Sequence, residues 1–200
     1  DGKKLKNFLA SNPDRAVTLD PSIFALDAEY DTTADFTSRG PATGTNAIKP
    51  EVVAVGTDLY LATQKYDPNG GLWDPTGYTV AAGTSFAAPM VAGAAALARQ
   101  KNPNLTAAQL KSLVVNTASD TIDEYLSQGW VAAPLTSMGA GKLNAADAVK
   151  ANVAVNPTTV SFGVLSGSTL PTPVSLEFSN PTAAAVTLTL AVQPFSNDPR

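Results

Sequence analysis

Apolar and polar positions alternate with different periods along the chain, and the changes of period mark its elements. Leu5, Phe8 and Leu9 recur at helical spacing among Lys3, Lys4 and Lys6, and Asn12-Pro13-Asp14 stops the run, which predicts a short amphipathic helix over residues 1–12. Residues 16–19 and 22–28 read as short strands separated by Asp20-Pro21. After the turn Ser38-Arg39-Gly40-Pro41, residues 51–56 form an apolar strand ended by Gly56, and residues 59–63 and 78–80 predict two more. Nine of the eighteen residues from Ala81 to Ala98 are alanine. That composition predicts a strong helix with a thin profile, which neighbours can approach from all sides, so it is expected at the centre of the domain. Asn102-Pro103-Asn104 breaks it. Thr106-Ala107-Ala108-Gln109 is a capping-box pattern opening a helix with Leu110, Leu113 and Val114 on one face, and a further short helix is expected from Asn144, after Gly139 and Gly141.

The texture changes near residue 152. Residues 153–155, 160–162, 174–178 and 186–190 are alternating runs separated by Pro, Gly, Ser and Asn, the pattern of all-β sandwich strands. A sandwich of this kind takes roughly seven strands and ~100 residues, so the tail is expected to be its beginning.

Composition narrows the chemistry. The chain has 200 residues, 44% hydrophobic and 15% charged, a balance of folded rather than disordered chains. With 13 Lys+Arg against 17 Asp+Glu, a net charge of -4 and a pI near 4.7, it carries no basic footprint for nucleic acid. There is no Cys and no His, which removes thiol nucleophiles, disulfides, the commonest general base and the commonest transition-metal ligand. Acid–base chemistry by these residues alone would fall to carboxylates, Lys or Tyr. The longest apolar run, Phe86–Ala98, contains Pro89 and Gly93 and falls short of the ~20 residues that span a bilayer. No leader pattern is seen at Asp1, which carries no information because the sequence reads as a piece of something longer. The acids Asp20, Asp27, Glu29, Asp31 and Asp35 read as a solvated face, with a cation site as the alternative. Asp67–Asp74 offers oxygen ligands off the spacing of a calcium loop and reads as turn chemistry around Asn69-Gly70-Gly71.

The candidate chemistry sits at Ser85. Pro89 has no N–H to give the carbonyl at position 85, so the helix is expected to begin close to Ser85. A strand ending near Val80, then Gly83, then a serine at a helix start would hold a hydroxyl beside unpaired backbone N–H groups and the positive end of the helix dipole. Such a junction suits a nucleophile whose acyl adduct needs oxyanion donors. Equally, Thr84 or Ser85 could serve only as a helix N-cap.

The wider pattern separates these readings. Gly-Thr-Ser-Phe-Ala-Ala-Pro-Met-Val-Ala-Gly-Ala-Ala-Ala-Leu at 83–97 resembles the serine-nucleophile motif of subtilisin-like serine peptidases. Phe-Thr-Ser-Arg-Gly-Pro at 36–41, Ile-Lys-Pro-Glu-Val-Val-Ala-Val-Gly at 48–56 and Gly-Ala-Gly-Lys-Leu-Asn-Ala-Ala-Asp-Ala-Val at 139–149 match the same family in order. Three positions depart from it: Phe86 stands where Met is common, Met90 where many members have His, and Val55 where Pro is usual. Arg39 lies in a segment that the family places near its cleft, and reads either as a turn stabiliser or as an anion clamp.

The resemblance implies an α/β fold: the C-terminal half of a doubly wound parallel-sheet subtilisin-like domain over residues 36–151, then all-β sandwich strands over 152–200 at the start of a fibronectin-III-like or immunoglobulin-like module. Residues 1–35 would be the return from an inserted protease-associated domain. It implies a secreted serine endopeptidase with Ser85 as nucleophile and Gly83 and Thr84 as oxyanion and backbone support. The family orders its triad Asp, His, Ser, so His and Asp are expected upstream of residue 1, in a missing N-terminal half that becomes a required partner, and residues 1–200 alone are expected to be inactive. Polypeptide is the expected substrate, with no membrane or nucleic-acid partner and no cofactor; calcium belongs to the family rather than to any pattern in this chain. Two other readings stand beside it, a non-catalytic subtilase-like scaffold or binding module, and a Ser-Lys hydrolase using Lys49 or Lys101.

Overall fold

A computed structural model describes residues 2–18, 31–127, 129–165, 167–182 and 184–192. The chain divides into two compact units, Asp1–Tyr30 and Asp31–Arg200. In the first, helix α1 (Gly2–Ser11) forms as its apolar spacing predicts, and the Asn12 side-chain amide closes its end by donating to the Phe8 carbonyl at 2.8 Å. Residues 16–18 carry no strand, and the remainder of the two strands expected over 16–28 lies outside the described residues.

The second unit is built on helices. Strands β1 (Leu59–Ala62) and β2 (Tyr78–Ala81) pair antiparallel, with Leu59 opposite Ala81. Helix α2 (Thr84–Lys101) follows directly. Helix α3 (Ala107–Asn116) opens with the expected capping box, the Gln109 N–H donating to Thr106 Oγ1 at 3.2 Å and the Thr106 N–H to Gln109 Oε1 at 2.9 Å. Next come the hairpin β3 (Asp123–Leu126) and β4 (Gly129–Ala132), and helix α4 (Leu135–Met138), none of which the residue pattern announces. Helix α5 (Ala145–Lys150) starts where expected, its Asn144 cap accepting from the Asp147 N–H at 3.1 Å. Strands β5 (Ala154–Asn156) and β6 (Glu177–Ser179) close the order as an antiparallel pair.

Two apolar clusters hold this unit together. Ala98, Leu105, Leu110, Leu113 and Ala154 gather where α2, α3 and β5 meet, with Val149 and Ala151 against them; Ile122, Ala133 and Met138 form the other, covered by Val53. A polar bond bridges the first: buried Ser112 accepts the Val155 N–H at 2.7 Å, tying β5 to α3.

Three expectations are not met among the described residues. The described residues contain no continuous parallel sheet: all three ladders are two-stranded and antiparallel, and parallel pairing is confined to the bridges Thr32–Asp123 and Val53–Lys142. Residues 51–56 therefore appear as an extended segment with one bridge. Val53 gives its N–H to the Gly141 carbonyl at 2.9 Å and takes the Leu143 N–H at 2.7 Å. The carbonyls on either side go elsewhere, that of Glu51 to the Ala140 N–H and that of Gly56 to the Gly83 N–H, so the pairing stops at one bridge. The alanine-rich helix is not surrounded, either. Only Ala94 and Ala98 of α2 are buried, because α3 and α5 pack on one flank and methyl side chains cover little of the rest. Finally, residues 152–192 show one short strand pair resting on α3, with residues 160–162 and 186–190 free of strand, so no sandwich is formed among the described residues.

Candidate active site

The β1–β2 hairpin feeds straight into the candidate nucleophile. Strand β2 ends at Ala81, Gly83 is the N-cap of α2, and Thr84 and Ser85 occupy its first two helical positions. The cap is thus a residue without a side chain, and the helix start has no side-chain cap bond. This decides against Ser85 or Thr84 as the N-cap. Both side chains are exposed, and among the described residues Ser85 Oγ has no hydrogen-bond partner.

Backbone geometry leaves donors at the same point. The Phe86 N–H turns back to the Gly83 carbonyl at 3.0 Å, whereas the Thr84 and Ser85 N–H groups have no acceptor among the described residues. Unpaired N–H groups at the first turn of an eighteen-residue helix favour negative charge. Pro89 lies in the second turn and withholds the N–H that would have taken up the Ser85 carbonyl. The Phe86 ring covers the exposed face of Gly83, 3.5 Å from where a Cβ would stand.

The other predicted residues fall elsewhere. Arg39 is no anion clamp: its guanidinium grips the buried carboxylate of Glu124 on β3, with Nη2 at 2.8 Å and Nη1 at 3.4 Å, and Ser137 Oγ adds a third bond at 3.1 Å. It also ties the 36–41 segment to a distant hairpin rather than bracing its own turn. Lys101 closes the far end of α2, sixteen residues or ~24 Å of helix from Ser85, and donates to the Val149 carbonyl at 2.9 Å. Lys49 is bound to Glu51 at 2.8 Å. Lys101 is therefore too far to act as the base of a Ser-Lys pair, and the Lys49 ammonium is engaged by a carboxylate. In the 67–74 loop, Asp67 accepts the Asn69 N–H at 3.0 Å, and Asp74 accepts the N–H and hydroxyl of Thr76 at 2.8 and 2.6 Å. The Thr76 bonds hold the Asp74 carboxyl below its usual range, and both acids serve the turns. Asp31 pairs with Lys142, while Asp20, Asp27 and Glu29 lie outside the described residues.

Two features have no advance signal in the residue pattern. An apolar cleft of about 660 Å³ runs beside α2, lined by Val52, Ala88, Val91, Ala95, Leu110 and Val114. At its rim Glu51 receives Lys111 at 2.7 Å and Lys49 at 2.8 Å, and Thr159 Oγ1 at 3.2 Å. Burial pulls the Glu51 carboxyl up, but the Lys111 and Lys49 hydrogen bonds and charges together outweigh it and hold the group below its ordinary value.

Comparison with known proteins bears on this geometry. A sequence profile of the Subtilase family, peptidase S8, matches residues 16–148, so the likeness begins well before residue 36. The chain is 38% identical over 130 residues to the minor extracellular protease Vpr of Bacillus subtilis (strain 168), covering 65% of this chain and 15% of that protein. It is 32% identical over 135 residues to the subtilisin-like protease SBT1.2 of Arabidopsis thaliana, covering 64% and 17%. For the subtilisin-like protease SBT1.6 of the same plant the identity is 32% over 157 residues, covering 72% and 20%. The chain therefore spans a fifth or less of the length of these relatives.

Proposed function

The chain belongs to the subtilase family, and from that membership we propose that it supplies the nucleophile of a serine endopeptidase, Ser85, which cleaves peptide bonds through an acyl-enzyme. Ser85 Oγ attacks the scissile carbonyl while a base takes its proton; the oxyanion faces the Ser85 N–H at the helix start; the tetrahedral adduct collapses, the protonated amine leaves, and water repeats the sequence on the ester. The observation that carries this reading is the exposed, unbonded hydroxyl of Ser85 on a helix capped by glycine, with unpaired N–H groups beside it.

Residues 1–200 hold no histidine, so the base and its orienting carboxylate come from polypeptide beyond these residues, and the 200-residue chain by itself is expected to be inactive. In the same reading residues 36–151 are the C-terminal part of the catalytic domain, 1–35 the return from an inserted domain, and 152–200 the start of a β-sandwich module. The profile match ending at residue 148 supports the second boundary, while its start at residue 16 favours a first boundary earlier than 36. The substrate is polypeptide and the setting extracellular; the name of the Bacillus relative, an extracellular protease, supports both.

Fluorophosphonate labelling of the whole protein as its source cell makes it, beside a Ser85→Ala variant, tests the proposal. Labelling confined to Ser85, with peptidase activity reduced by several orders of magnitude in the variant, is the expected result. Equal labelling of both forms, or no labelling of the native one, favours the non-catalytic scaffold.

A further inference from the structure

Resting on the assignment of Ser85 as nucleophile, we infer that Gly56 is a positioning residue for it, acting through the backbone of the Gly83 cap. The Gly56 carbonyl accepts the Gly83 N–H at 2.7 Å, and the Gly83 carbonyl accepts the Phe86 N–H at 3.0 Å, the bond that closes the turn containing Ser85. Gly56 and Gly83 also meet face to face. A Cβ at position 56 would stand 3.0 Å from the Gly83 oxygen and 3.2 Å from the Ala87 Cβ, tighter than nine in ten real Cβ contacts.

Gly56 is not among the glycines at positive φ, so its lack of a side chain serves close approach rather than an unusual backbone conformation. The segment behind it is fixed, because Val53 is bonded through both its N–H and its carbonyl to residues 141 and 143. A methyl group at 56 must therefore displace the partner that can give, which is the cap carbonyl and first turn of α2. Displacements well below 1 Å at a nucleophile reduce turnover, since ~1 Å can cost about a hundredfold. Gly93 supplies the control: it lies on the same helix, and a Cβ there meets nothing within 4 Å.

The test uses the whole protein and follows both fluorophosphonate labelling and peptide hydrolysis. Gly56→Ala is expected to lower the labelling rate and kcat by roughly tenfold or more with KM changed by less than about twofold, the signature of a misplaced nucleophile. Gly93→Ala is expected to match the native protein. The swap Gly56→Ala/Ala87→Gly relieves the contact with Ala87 while keeping that with the Gly83 carbonyl, and is expected to stay slow. Native rates in Gly56→Ala, or recovery in the swap, would overturn the route through the cap. Should Gly56→Ala fail to fold, amide exchange in the native protein decides: slow exchange of the Gly83 N–H supports the clamp, and exchange as fast as a free loop overturns it. A native protein that is not labelled at Ser85 overturns the nucleophile assignment and this inference together, whereas labelled native protein with an unaffected Gly56→Ala variant removes the inference alone.

Discussion

Replacing Arg39 by alanine removes a cation from a carboxylate that has almost no water. The Glu124 side chain is 5% exposed and that of Arg39 50%. Without the guanidinium, Glu124 keeps one neutral donor, Ser137 Oγ at 3.1 Å. Breaking a wholly buried ion pair costs about 3–5 kcal/mol, chiefly through the stranded charge. Half-exposure of Arg39 screens the attraction and lets water enter where the side chain was, so we take about half of that range, roughly 2 kcal/mol. The double variant Arg39→Ala/Glu124→Gln has no stranded charge, and the amide oxygen still accepts from Ser137; it is expected within about 1 kcal/mol of the native protein. Urea unfolding of the native protein, both single variants and the double variant yields the coupling energy. An Arg39→Ala loss under about 0.5 kcal/mol, or single-variant losses that simply add in the double variant, would refute the assignment of Arg39 as the partner of a buried charge. Peptide hydrolysis supplies an independent check: KM for acidic and neutral substrates should be equally unmoved by Arg39→Ala, as expected of a side chain bound to Glu124 rather than to substrate.

Glu51 should make stability depend on acid. Its folded-state carboxyl titrates below its ordinary value of 4.5, so its contribution is fully present above pH 4.5 and is lost as the pH falls through the lower folded value; Glu51→Gln should flatten that part of the stability–pH curve measured by urea midpoints. An unchanged slope would remove Lys49 and Lys111 as effective partners. Thr106→Ala deletes the hydroxyl end of the capping box of α3 and should cost about 1 kcal/mol by the same unfolding measurement, with Thr106→Ser restoring most of it.

What could be read in advance follows from the range over which each signal acts. The capping box at Thr106 and the helix stop after Ser11 need only neighbours within four residues, and both are found where expected. The start of α2 is legible for the same reason: Pro89 and Gly83 act within a turn or two, and together they place Ser85 at an exposed helix start. The hairpin β3–β4 has no local signature, because Asp123-Glu124-Tyr125-Leu126 lacks clean alternation; its buried residue is Glu124, an acid held inside by Arg39 from 85 positions away. No local pattern encodes that partner. The extended segment 51–56 and the flank of α2 fail in the opposite direction, since their apolar letters promised burial.

Apolar composition records what a segment can bury against, and burial needs the neighbour itself. Along α2 two helices supply it on one side, leaving Ala88, Val91 and Ala95 to line a cleft. At the end of the 51–56 segment the same logic works through the backbone. Gly56 has no side chain to bury, and its carbonyl and its bare Cα fix the cap of the helix that carries Ser85. The site's position thus depends least on the apolar lettering that made the helix conspicuous, and most on two glycines whose backbones touch across 27 positions of sequence.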